Sequence, residues 1–229
     1  DFDTPWHIRD EGIYSLEKGR TFDTSNSGLK ELRNEIANYM KRTQGISYDP
    51  AHEIIITVGG SEAIDLAFRA MINPGDEVLI PQPSYVSYEP CAILADAVPV
   101  IIELKEEDEF RLTAQQLRNA ITDKTKILVL PFPNNPTGAI MEKKDLEEFA
   151  EVIRETDLYV VSDEIYGELT YKDKHVSIAS LPGMQERTIL INGFSKAYAM
   201  TGWRLGYACA PKAIMEQMIK IHQFAIMCA

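Results

Sequence analysis

Lys196 stands among small residues with an arginine soon after it, in Ser195-Lys196-Ala197-Tyr198-Ala199-Met200-Thr201-Gly202-Trp203-Arg204. An amine that follows an apolar run is poorly placed for solvent and well placed to condense with an aldehyde. Arg204 offers a planar, bidentate grip on an anion such as a phosphate. A Ser-Lys dipeptide alone also fits a solvated surface lysine, and a lone arginine also fits a surface ion pair. Other residues have to decide between these readings.

Several of them stand at loops that follow apolar runs. Gly59-Gly60-Ser61-Glu62-Ala63 joins a β-branched run to a helical one, where free amides can hold a phosphate; Ser61 reads equally as a helix N-cap. Tyr85, in Pro83-Ser84-Tyr85, offers a flat ring for stacking, or an ordinary core or surface tyrosine. Asn135, in Asn134-Asn135-Pro136-Thr137-Gly138, lies in a turn whatever else it does, and its amide could donate to a phenolate oxygen. Asp163 ends a buried run and needs a partner there, which a pyridinium N–H would supply; it reads also as an N-cap. Tyr166 is near enough in sequence to reach the same ring. Together these residues supply what pyridoxal 5′-phosphate (PLP) needs: an imine lysine, a carboxylate for the ring nitrogen, donors to O3′, a stacking ring and a phosphate cup.

The elements that position them alternate. Strands are expected at Glu53–Val58, Glu77–Ile80, Ala97–Ile102, Lys126–Leu130, Leu158–Ser162, Thr188–Ile191 and Leu205–Ala208. Helices are expected at Leu29–Met40, Ser61–Met71, Tyr85–Leu94, Ala114–Ile121, Lys144–Glu155 and Lys212–Met227, with a Thr113/Gln116 capping box. Residues 1–26 read as irregular. The pattern is that of an α/β fold, a mostly parallel sheet flanked by helices, in which ligands bind beyond the carboxyl ends of the strands. The expected division is an irregular segment at 1–26, a PLP-binding domain at 27–211, and at 212–229 a helix leading onward.

Composition narrows the function. A formal charge of −12 argues against nucleic acid. Cys91, Cys209 and Cys228 show no paired spacing, so neither a metal site nor a disulfide framework is expected and a cytoplasmic setting fits. No apolar stretch is long enough to span a bilayer. The chain starts at Asp1 and stops within an amphipathic run, which reads as a fragment of a longer protein.

These motifs, in this order, resemble the class I/II aminotransferases of PLP fold type I, the aspartate aminotransferase-like group. The resemblance covers essentially the whole chain. It implies Lys196 as the Schiff-base lysine and proton carrier and Asp163 as the partner of the pyridine nitrogen. It further implies Asn135 and Tyr166 at O3′, Tyr85 stacked on the ring, and Gly60, Ser61, Glu62, Ser195 and Arg204 at the phosphate. It implies amino-acid and 2-oxo-acid substrates and a homodimer with shared sites. Three features depart from the pattern. Asp23 stands about where many relatives carry a tyrosine that reaches a neighbour's phosphate. Gly193 replaces a Ser or Thr found in some relatives. Most of the small domain, with its substrate-carboxylate arginine, is missing. The same cofactor groups would serve a C–S or C–N lyase, and a non-catalytic ligand-binding module of this fold is the reading from another class.

Overall fold

In the computed structural model, which describes residues 2–229, the β-branched runs form β1 (Ile54–Thr57), β2 (Glu77–Gln82), β3 (Val98–Glu103), β4 (Thr125–Leu130), β5 (Tyr159–Asp163), β6 (Thr188–Gly193) and β7 (Gly206–Cys209). They make one seven-stranded sheet in the order β1-β7-β6-β5-β4-β2-β3. Every pairing is parallel except the two made by β7. The first residue of β7, Gly206, therefore pairs with the last residues of both its neighbours, Thr57 and Gly193. The start of β7 reaches the same edge at which the other strands end.

The helices are α1 (Trp6–Glu17), α2 (Lys30–Gln44), α3 (Gly59–Met71), α4 (Tyr88–Leu94), α5 (Ala114–Ala120), α6 (Lys143–Arg154) and α7 (Lys212–Ala225). Alternation along each strand feeds two faces. Ile127 and Val129 of β4 join a core with α3, α4 and α7, whereas Leu128 and Leu130 pack with α5 and α6. Ile36 and Met40 of α2 cover Ile54, Ile56 and Tyr207. Each fully buried aliphatic side chain contributes about 1.5–3 kcal/mol, so covering both faces is what makes the sheet stable. The Thr113/Gln116 capping box forms as expected, each residue's side chain accepting from the other's backbone N–H.

Four expectations need correction. Residues 1–26 are not wholly irregular, because α1 forms there. It buries none of its residues, so it lacks the inward stripe by which helices are recognised in sequence. α3 begins at Gly59, which places Ser61 inside the first turn rather than at the N-cap, held by Val58. α4 begins at Tyr88, leaving Tyr85 in the turn before it. Asp163 caps no helix: it closes β5, and its Oδ1 accepts the Ile165 N–H at 3.2 Å.

Candidate active site

At the carboxyl edge of the sheet lies a cavity of about 200 Å³. Gly60 and Ser61 reach it from the turn after β1, Tyr85 from the turn after β2, and Asn135 from the loop after β4. Asp163 and Tyr166 enter from the end of β5, Ser195 and Lys196 from the turn after β6, and Arg204 from just ahead of β7. The reversed direction of β7 is what puts Arg204 on this side of the sheet.

The basic end is built by glycines. Gly59 has φ +77°, and a Cβ there would come within 2.4 Å of the Arg204 guanidinium. A Cβ on Gly206 would lie 2.6 Å from the Gly59 carbonyl carbon and 2.7 Å from the Gly60 nitrogen. Bare backbone at these positions lets β7 press against the first turn of α3 and lays Arg204 beside it. Arg204 itself adopts φ 55°, and its Nη1 donates to the Thr201 carbonyl at 3.0 Å. It pairs with no carboxylate among the described residues. Amides at a helix start, a hydroxyl from Ser61 and a guanidinium without a carboxylate partner among the described residues are groups that can hold an anion.

The acidic end is Asp163. Only 7% of it is exposed. Burial pushes its carboxyl above the usual range; two hydrogen bonds oppose that rise, from the Tyr88 hydroxyl and the Ile165 N–H, while nearby Glu164 adds to it. The Tyr88 bond is 2.7 Å long. Both donors are neutral, so the carboxylate still lacks the cation that would compensate its desolvation. Lys196 also lines the cavity, exposed rather than withdrawn from solvent as its sequence setting suggested, with its Nζ 5.7 Å from the centre of the Tyr166 ring, and it too makes no ion pair among the described residues.

The neighbouring turn separates two asparagines by role. Asn134 is buried, and its Oδ1 accepts from the Thr137 hydroxyl at 3.1 Å while its backbone closes the loop on Gly138 and Ala139. That fixes the turn and leaves Asn135 facing the cavity. Tyr85 meets Tyr88 edge to face, with ring centres 5.8 Å apart.

One expected residue lies elsewhere. Glu62 does not line the cavity; its carboxylate is held by His222 Nδ1 at 2.6 Å and by the Val58 N–H. Tyr88 is the residue that the sequence reading missed. Its signal was a tyrosine one helical turn before the buried Ala92, on the inward side of α4. Gly193 also has a structural reason: a Cβ there would lie 2.9 Å from the Gly206 Cα and 3.0 Å from the Leu205 carbonyl oxygen, so no Ser or Thr fits. Asp23 is exposed and takes the Cys228 thiol at 3.8 Å.

The family model for aminotransferase class I and II matches residues 1–229. The aspartate aminotransferase of Pyrococcus abyssi is 48% identical over 229 residues, all of this chain and 59% of that protein. The aromatic-amino-acid aminotransferase 2 of Thermococcus litoralis is 46% identical over the same length, again 59% of its own. The solved aromatic aminotransferase from Pyrococcus horikoshii superposes with a TM-score of 0.98 at 49% identity, covering 100% of this chain and 61% of that one. The chain thus spans about 59% of the length of the curated relatives it matches. Fold, cavity and similarity agree, and the chain belongs to the class I and II aminotransferase family.

Proposed function

We propose that the protein transfers an amino group between an amino acid and a 2-oxo acid, with PLP bound covalently at Lys196. The observation that carries this reading is one cavity holding an unpaired lysine and a buried carboxylate that lacks a cation. When bound, the group supplies an aldehyde that takes up nitrogen and an aromatic ring that draws off the electron pair released at the amino acid's α-carbon.

The chain's own residues fit around it. Asp163 holds a proton on the ring nitrogen, and that N–H is the cationic donor its burial calls for. Tyr88 keeps Asp163 in place, and its hydrogen bond works against the rise that burial causes. Asn135 and Tyr166 donate to the phenolic oxygen, and Tyr85 covers a face of the ring. Arg204, Ser195, Ser61 and the first amides of α3 hold the phosphate. Once the amino group of the substrate has taken its place on the aldehyde, the freed Lys196 Nζ would be the base that carries the proton between the α-carbon and the cofactor's C4′ carbon. Homodimer formation belongs to the same proposal. It is supported by α1, which buries nothing in this chain and leaves Trp6, Ile13 and Leu16 exposed.

Borohydride reduction of the PLP-loaded protein, followed by peptide mapping, should place the cofactor on Lys196. Lys196→Ala should lose visible cofactor absorbance and amino transfer together. Amino transfer that survives in Lys196→Ala overturns the reading. Ammonia release with no need for a 2-oxo acid would replace transamination with elimination.

A further inference from the structure

Glu62 and His222 form a pair that the chemistry above does not use. Glu62 directly follows Ser61 in the first turn of α3, yet its Oε1 meets His222 Nδ1 at 2.6 Å and its Oε2 accepts the Val58 N–H at 2.5 Å. An ionised carboxylate only accepts, so Nδ1 carries the hydrogen and donates. The His222 side chain is wholly buried, and its Nε2 has no partner among the described residues.

Packing alone does not account for this histidine. Met215, Met218 and His222 fall along one face of α7, and the two methionines join the apolar core shared with α3. A third apolar residue would continue that stripe without leaving a ring nitrogen unpaired. What distinguishes His222 is the one hydrogen bond of its side chain, which lands on the carboxylate that follows Ser61.

A carboxylate in the first turn of a helix is drawn to the same free amides that would bind a phosphate. Arg204, lying against Gly59, is a further attraction. We infer that His222 is a positioning residue: by holding Glu62 Oε1 while Oε2 takes the Val58 N–H, it keeps this carboxylate out of the cavity, so that the Gly60 and Ser61 amides and Arg204 stay available to a phosphate group. The inference rests on the cavity being a PLP site.

The test compares PLP with pyridoxal, which lacks the phosphate, on the full-length protein stripped of cofactor. His222→Leu keeps the α7 stripe apolar and frees Glu62 Oε1, leaving the Val58 N–H as the carboxylate's one remaining tie. Its affinity for PLP should fall about tenfold, the effect of one like charge near the bound anion, while affinity for pyridoxal stays put. Adding Glu62→Gln should restore PLP binding, because the amide brings no charge. His222→Gln can still donate to Glu62 and should keep the preference for PLP; it serves also if His222→Leu fails to fold. Equal losses for both ligands, no loss for either, or no rescue by Glu62→Gln would overturn the inference and leave the PLP site intact. A loss of the PLP preference in His222→Gln as large as in His222→Leu would do the same. A wild-type protein that cannot tell PLP from pyridoxal would overturn the site reading and this inference together.

Discussion

Asp163 is a residue whose chemistry works against the fold until the site is filled. Burial raises its carboxyl above the ordinary 3.8, so the folded, cofactor-free protein holds that proton more tightly than the unfolded chain does. The stability tied to that proton is full below 3.8 and is lost as pH rises through the raised value. At neutral pH the ionised group is therefore a cost. Asp163→Asn should raise the melting temperature of the cofactor-free protein, by roughly 2–4 °C per kcal/mol removed, while abolishing amino transfer. Calorimetry on the two stripped proteins checks this, and an unchanged or lower melting point for the variant would refute it. Tyr88→Phe removes the donor that opposes the rise, so Asp163 should ionise only at higher pH. The acid edge of cofactor retention, followed by visible absorbance, should then move upward; an unmoved edge would show that Tyr88 has no such role. That Asn135, Asp163, Lys196 and Arg204 meet in one cavity was legible in sequence, because each is an unusual residue type beside a strand end. Tyr88 and His222 were not, since what defines them is a hydrogen bond to a residue far along the chain: Asp163 for one, Glu62 for the other.

Among the elements, the junction of β7 with α3 governs the anion site. Gly206 pairs with the last residues of β1 and β6 and lies against Gly59 and Gly60 with no room for a side chain. Gly206→Ala sets a methyl group against backbone, which cannot rotate aside, and should cost about 1–3 kcal/mol. Because the displaced backbone is the first turn of α3, affinity for PLP should fall along with stability. Urea denaturation and a PLP titration on the same variant test this, and a destabilised variant with intact PLP affinity would separate the junction from the site. The strands and most helices could be read from apolar runs and their period. α1 could not, because a helix with no buried face leaves no stripe to read. Nor could the direction of β7: a short apolar run reads the same whether its strand lies parallel or reversed.

Across the whole molecule, a buried ion pair on the far side of β5 links pH to stability. Glu164, next to Asp163 in sequence, accepts from Ser162 at 3.0 Å, Ser177 at 2.6 Å and His175 Nε2 at 2.7 Å. Burial pulls the His175 imidazole down, but the charge and hydrogen bond of Glu164, with help from Glu168, raise it above its ordinary 6.5. The pair's stabilisation is full below 6.5 and is lost as pH climbs through the raised value. Wild-type stability in urea should therefore decline as pH climbs above 6.5, and His175→Gln should be weaker at lower pH and lack the slope. A variant that keeps the slope would assign it to other groups. The sheet order carries a different consequence. β1 pairs with β7 and with no other strand, although the other five strands all lie between them in sequence. During synthesis β1 leaves the ribosome long before its neighbour exists, and the nascent polypeptide must carry that apolar segment unpaired. The geometry proposed for holding the phosphate thus waits until β7 slots between β1 and β6. Capture of the cofactor would report that translation has passed that point.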